Sequence, residues 1–479
     1  MSLSAPNRWA VLGLVCVAQF MVILDATIVN VALPTIERGL HFSPTSLQWI
    51  VNAYTLVFGG FLLLGGRAAD LFGTQRLFIA GLVIFTGASL LNGLAQSSGM
   101  LVGGRALQGL GAALVSPAAL AIVTRTFDEG AERTKALGVW SAIAAGGGAA
   151  GLLLGGLLTE YATWRWVFFI NLPIGLAAGL LALRMINNEV DEDKPETSDV
   201  AGAVTVTGGL LVLVYAIVKA PAYGWGSWKT IALFAVAVVL LASFIVVELR
   251  SRAPLIRLGI FRTRSLSVAN TAMFLVGSGL FAMFFFATLY VQQLRGYSPI
   301  KAGLAFLPFT FGIIIGATLA QQFIKRIGVR AVTLTGLVIA TGGMLLYTQL
   351  SLSGGYWGEL FPAVMITSTG MGLVFVPVTL LATTNVPHED AGLASGLFNT
   401  SQQIAGALGL AVLSTIAASR TSSKLDSGTA KHAATLSGYH LAFLIGAALM
   451  VAAFAVLAAL LRKRDVASIN TEEPMAIAA

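Results

Sequence analysis

Apolar runs of about twenty residues follow one another along the whole chain, from 9–33 to 438–461. That is the length an α-helix needs to cross a hydrocarbon core. In lipid every backbone N–H and C=O must be paired within the protein, so continuous apolar runs of this length read as helices. About fourteen can be marked, joined by short connections that make neighbours antiparallel. Only 10% of the 479 residues are charged and 57% are hydrophobic, whereas a soluble domain carries about 25% charge. The sequence predicts an all-α polytopic membrane protein. The first run is read as a retained span, because it is long, carries Asp25 and lacks a small-residue cleavage pattern.

The net charge of +8 reflects loop lysines and arginines, which collect on the cytoplasmic side of such proteins. It does not point to nucleic acid. With the N-terminus inside, nineteen Lys and Arg fall on the cytoplasmic side and nine outside. Both termini are therefore predicted to be cytoplasmic, in a cytoplasmic membrane. The acidic stretch 187–199 reads as a cytoplasmic linker and 419–437 as an outer loop. The tail after Arg464 reads as disordered. A single cysteine, Cys16, excludes an intrachain disulfide.

Two ionisable residues interrupt the apolar runs. Asp25 lies in the middle of the first and Arg105 in the fourth. A charge at membrane depth costs about 2.5–3.5 kcal/mol on insertion scales, so both should face protein or water and have a task there. At 1.5 Å per residue, Asp25 lies roughly 13 Å below the outer end of its span and Arg105 roughly 6–7 Å below the end of its own. A contact, or coupling through water, is within an arginine's reach. Burial and a neighbouring cation act oppositely on a carboxyl group, which suits one that loads and releases a proton. The bland alternative is a static ion pair. Glu160, Glu248 and Glu359 fall near segment ends, which leaves no long relay of acids. No P-loop, zinc motif or nucleophile elbow is present, so neither ATP hydrolysis nor enzyme chemistry is expected. Gly66–Arg76 and Ala320–Arg330 share a pattern of helix end, charged turn, glycine and terminal Arg, and two related halves are typical of secondary transporters.

Four stretches together resemble the major facilitator superfamily, specifically its 14-span drug–proton antiporters. They are Leu24-Asp25 through Asn30 to Pro34; Gly66, Asp70, Gly73 and Arg76; Leu101, Arg105, Gln108, Gly109 and Gly111; and Gly138, Gly147, Gly151, Gly155 and Gly156. Trp164–Gly175 and Ala394–Gly406 look typical as well. The loop motif has Leu71, Thr74 and Gln75 where basic residues are usual, and the antiporter motif has Leu152 in place of a proline.

The resemblance implies two six-helix bundles, 1–190 and 265–464, separated by a linker with two inserted helices at 191–264 and followed by a tail at 465–479. It implies proton coupling at Asp25, tuned by Arg105. Asp70 with Arg125 would form a cytoplasmic latch, against a solvated turn that only enforces topology; the span-five glycines would pack that helix on the other half or, equally, pack it tightly within the N-terminal bundle. Polar and aromatic residues in the spans supply candidate cavity positions: Asn30, Gln108, Asn270, Phe281, Phe285, Asn399 and Gln402. The implied activity is proton-coupled export of small lipophilic or cationic compounds by alternating access. Protons, the substrate and the bilayer would be its partners; it would need no cofactor or metal and act as a monomer. Two alternatives stand beside it: a dedicated exporter of one endogenous metabolite or lipid, and a non-transporting receptor or scaffold.

Overall fold

A computed structural model of the chain describes residues 7–43, 45–128, 130–186, 199–251, 254–383, 385–386 and 390–462. These residues are helical with no strand, as the apolar runs predict. The order is α1 (Arg8–Leu40), α2 (Trp49–Phe72), α3 (Thr74–Gly93), α4 (Ser98–Thr126), α5 (Ala131–Tyr161), the short α6 (Trp166–Phe169), α7 (Asn171–Met185), α8 (Val200–Tyr223), α9 (Trp228–Arg250), α10 (Arg264–Leu289), α11 (Pro299–Tyr347), α12 (Phe361–Thr383), α13 (Ala391–Asp426) and α14 (Lys431–Leu460).

Twelve helices among the described residues are long and apolar enough to cross a membrane. The fourteen read from sequence is thus approximate. One of the twelve, α11, has 49 residues, roughly 74 Å at 1.5 Å per residue and far more than one crossing. It is broken at Gly328, where φ is 82° and ψ 160°. Gly73, between α2 and α3, has φ 91° and ψ 139°. Left-handed backbone of this kind favours glycine. The two glycines occupy matching places in the two copies of the repeat, so the repeat extends to backbone geometry.

Residues of α1 to α7 pack mainly on one another, and so do those of α10 to α14. The halves meet where α2 touches α13 and α5 touches α11. Apolar side chains run continuously across this boundary, from Ile28 and Val31 of α1 through Leu152 to Phe306 and Phe443. Lipid tails are as apolar as leucine, so association inside a membrane depends on close packing rather than on expulsion of water. The inserted pair sits beside the boundary. Leu210, Val214 and Val218 of α8 pack with Leu56 of α2 and with Ala407 and Ala411 of α13. Much of α9 is exposed, including Val238, Val239 and Leu249, as expected of a helix with lipid on its outer side.

The long helices alternate in direction. One face of the molecule therefore carries the α1–α2, α3–α4 and α10–α11 turns (face A), and the opposite face carries the α2–α3 and α9–α10 connections (face B).

Candidate coupling site

Asp25 and Arg105 are brought together. Arg105 Nη1 donates to Asp25 Oδ2 at 2.5 Å, and the two side chains are 1% and 0% exposed. Gln108 and residues of three further helices, α2, α3 and α7, complete the cluster. Gln108 of α4 donates through Nε2 to Asp25 Oδ1 at 2.7 Å and to Ser89 Oγ of α3 at 2.8 Å. Asn171, the first residue of α7, donates through Nδ2 to Asp25 Oδ1 at 2.9 Å. Asn92 of α3 donates to Gln108 Oε1 at 2.8 Å. The guanidinium also gives Nε to the Ile50 carbonyl at 3.0 Å and Nη1 to Gln108 Oε1 at 2.8 Å. The Tyr54 ring lies beneath it, 4.2 Å from Cζ to the centroid.

The spacing of these residues follows from helix geometry. Arg105 and Gln108 are three apart and share one face of α4, as Ser89 and Asn92 share one face of α3. α1 supplies one acid between Leu24 and Ile28, both fully buried. A carboxylate accepts only, whereas Arg and the amide NH2 of Asn and Gln donate. Three donors converge on Asp25, which matches its ionised form. The ion pair is screened by little water, and each charge has further partners, the condition under which a buried pair is tolerated.

Sequence reading paired Asp25 with Arg105 but set Gln108 among the cavity candidates. Gln108 is fully buried in the Asp25 cluster instead. Asn171, Ser89, Asn92 and Tyr54 had been given no role. An asparagine within the family-like stretch Trp164–Gly175 was the one available signal for Asn171, since a polar residue at a helix start inside an apolar run needs a partner.

The span-five glycines divide by direction. A β-carbon on Gly147 would stand 3.1 Å from Ile23 Cγ2, one on Gly151 would run into the Thr27 hydroxyl, and one on Gly155 would lie 2.7 Å from the Ile28 carbonyl oxygen. All three face α1, within the first half. The contact foreseen with the other half is made one position on from two of them. Gly156 would place a β-carbon 2.7 Å from Ile300 Cα, and Leu152, where the motif usually has proline, presents its carbonyl to Gly303. Neighbours on a helix point about 100° apart, which separates the two jobs on one helix. Gly138 is exposed with nothing near it.

In the loop motif, Gly73 makes the turn, while a β-carbon on Gly66 would stand 3.8 Å from Pro117 Cβ of α4. The Asp70 side chain lies outside the described residues, so the proposed Asp70–Arg125 latch does too. Arg76 begins α3 and Arg125 closes α4, and both are engaged with neighbours.

A cavity of about 990 Å³ opens at face A between the halves, among the ends of α1, α10 and α13 and the start of α14. Phe285 and Phe286 line its floor; Glu37, Arg38, Lys431 and His432 stand round it. Of the seven cavity candidates, Phe285 alone lines this space. Phe281 packs on Gly406 of α13. Asn30 and Asn270 turn back to the carbonyls of Ala26 and Leu266, at 3.3 and 2.9 Å. Asn399 and Gln402 are half-buried on α13. Around the cavity, the halves are bridged by polar bonds. Gln293 Nε2 donates to Glu37 Oε2 at 2.6 Å, Gln292 Nε2 to the Val31 carbonyl at 2.9 Å, and the Ile300 N–H to Glu160 Oε2 at 2.9 Å.

Known proteins resemble the chain in sequence and in fold. The chain is 41% identical over 459 residues to a puromycin resistance protein of Streptomyces alboniger, covering 94% of this chain and 91% of that protein. It is 38% identical over 449 residues to a cephamycin export protein of Amycolatopsis lactamdurans, covering 93% and 91%. Its fold matches the crystal structure of an auto-inhibited POT family peptide transporter with a TM-score of 0.72 at 16% identity, over 97% of this chain and 99% of that one. A family profile matches residues 15–410. With its many apolar helices, this multi-pass membrane protein belongs to the Major Facilitator Superfamily.

Proposed function

We propose that the chain is a proton-coupled antiporter that exports small lipophilic or cationic compounds, antibiotics among them, from the cytoplasm. The observation that carries this reading is the donor cage around Asp25. A proton on Asp25 needs an acceptor, yet every neighbour of its two oxygens donates. Protonation therefore has to dislodge one donor, and the Oδ2 position held by Arg105 is the place where a single bond is lost. Arg105 keeps the Ile50 carbonyl, Gln108 Oε1 and the Tyr54 face when that happens. The proton is thus exchanged for a shift of α1 against α4. α1 also carries α5 on its glycine face and, through Val31 and Glu37, holds Gln292 and Gln293 just beyond the end of α10. A movement at Asp25 is in this way connected mechanically to the seam between the halves, which has to open on one face and close on the other for alternating access.

The names of the relatives support the cargo class, since they are resistance and export proteins for antibiotics. They also favour a narrower second reading, an exporter dedicated to one compound. Competition among several cargos for efflux of one dye separates the two. The excess of Lys and Arg on one side supports cytoplasmic termini, which puts face A outside.

The test is efflux of a fluorescent lipophilic cation from proteoliposomes under an imposed pH gradient. The native chain is expected to move dye with the gradient, and Asp25→Asn to fall to the level of protein-free vesicles. Gradient-driven flux that survives in Asp25→Asn would place coupling elsewhere. No dye movement by the native chain would remove the multidrug reading.

A further inference from the structure

Outside the coupling site, the described residues hold a second pair of buried acids at the face B end of the inserted helices. Asp199 caps α8, with Oδ1 accepting the Gly202 N–H at 2.7 Å. Glu248, in the last turn of α9, accepts the Ile256 N–H through Oε2 at 3.1 Å. The two residues are 7% and 4% exposed. Each keeps one buried oxygen without a partner, Asp199 Oδ2 and Glu248 Oε1. Both free oxygens aim at one spot: each lies 3.0 Å from the point where a β-carbon on Gly202 would stand. Only a glycine leaves that space open.

Two bare carboxylates cannot face each other in so dry a place, because like charges in a low dielectric repel strongly. Something positive has to lie between them. A metal would need more ligands. Hard cations take about six to eight oxygens, but no group of three or more His, Cys, Asp or Glu side chains forms among the described residues, and two of the four oxygens here are already bonded to N–H groups. A proton needs only the two free oxygens. We infer that Asp199 and Glu248 share one bound proton, which ties the start of α8 to the end of α9, while Glu248 Oε2 holds the connection entering the second half through the Ile256 N–H. The proton resides on Glu248 Oε1 and is donated to Asp199 Oδ2, so the pair carries one negative charge. That charge is held by the α8 N-terminus, where a carboxylate is favoured.

The surroundings fit a site insulated from other charges. Leu64 of α2, Ala203 of α8 and Leu255 enclose it, with Phe61 and Ile256 beside them. The charged groups on the neighbouring elements are Arg67 on α2, Arg250 at the end of α9, and Arg257. Arg257 is taken by Asp390 at 3.1 Å, and none of the three bonds to either free oxygen. Ile256, whose N–H is fixed by Glu248, also packs toward Ala394 and Leu397 of α13. That connection thus touches both halves near their seam.

Infrared spectroscopy of the purified full-length protein in detergent tests this directly. At neutral pH the native chain and Asp25→Asn should both show the C=O stretch of a protonated carboxyl, moved down in D2O. Glu248→Gln and Asp199→Asn should each remove it. Gly202→Ala, which keeps both acids and fills the space between them, should shift or abolish the band, and it serves if an acid variant fails to fold. Absence of the band in the native chain, or its survival in all three variants, overturns the proposal. So does loss of the band on adding CaCl2 with stoichiometric calcium binding, which would make this a metal site.

Discussion

At the scale of single residues, Arg105 is the member of the cluster whose loss costs most. Removing one partner of a buried pair leaves the other charge uncompensated, at about 3–5 kcal/mol. Arg105→Ala should lower the thermal unfolding temperature of the detergent-solubilised protein sharply. Asp25→Asn should cost less, because Arg105 retains the Ile50 carbonyl, Gln108 and the Tyr54 ring. A double variant should recover part of the loss seen in Arg105→Ala; strictly additive losses would show that the two charges do not interact. Asn171→Ala removes a donor from Asp25, worth about 1.5–3 kcal/mol for a bond to a charged group. It should move the pH profile of efflux while leaving cargo binding at saturating proton conditions intact. A profile unchanged from the native one would reduce Asn171 to a packing role.

At the scale of helices, α5 works on two sides, and substitutions should separate them. Overpacking a tight contact costs about 1–3 kcal/mol. Gly151→Val should lower stability by that order, because its face packs directly on Thr27 and Ile28 of α1 within the first half. Gly156→Val presses on Ile300 across the seam, so its main effect should be a shifted balance between open and closed face A, read in a Cys16→Ser background as changed accessibility of a cysteine introduced by Thr421→Cys in the cavity lining to a membrane-impermeant reagent. Gly138→Ala should do neither. Equal behaviour of Gly151→Val and Gly156→Val would erase the distinction. This division was hidden in the sequence. A four-residue glycine period places three residues on one face but does not say which helix that face meets. The helices themselves were legible, because apolar runs of membrane length permit little else. The Asp25–Arg105 pairing was legible too, since two opposite charges at membrane depth have few other partners. The remainder of the cluster was not: Ser89, Asn92 and Asn171 are ordinary polar residues until α3 and α7 are folded against α1. The cavity lining was hard to read for a related reason. A polar residue inside a span satisfies itself as readily on its own helix, as Asn30 and Asn270 do, as on a ligand.

At the scale of the molecule, the two halves are joined at face A by bonds that can be broken singly, among them Gln293–Glu37 and Ile300–Glu160. A transporter that alternates must give these up in every cycle. Holding them should stop it. In a Cys16→Ser background, Glu37→Cys with Gln293→Cys bridged by a short bis-maleimide should arrest efflux while leaving the protein folded and able to bind cargo from face B. Undiminished efflux by the bridged protein would show that this joint stays closed throughout. The burial of Asp25 carries a practical consequence for pharmacology. Its side chain has no exposed surface, so in this conformation a blocker has no route by which to compete with the proton. On the coupling role proposed above for Asp25, an inhibitor would find purchase elsewhere: a wedge seated in the 990 Å³ cavity, against Phe285 and between Glu37 and Lys431, would hold the two halves at face A without ever meeting that carboxylate.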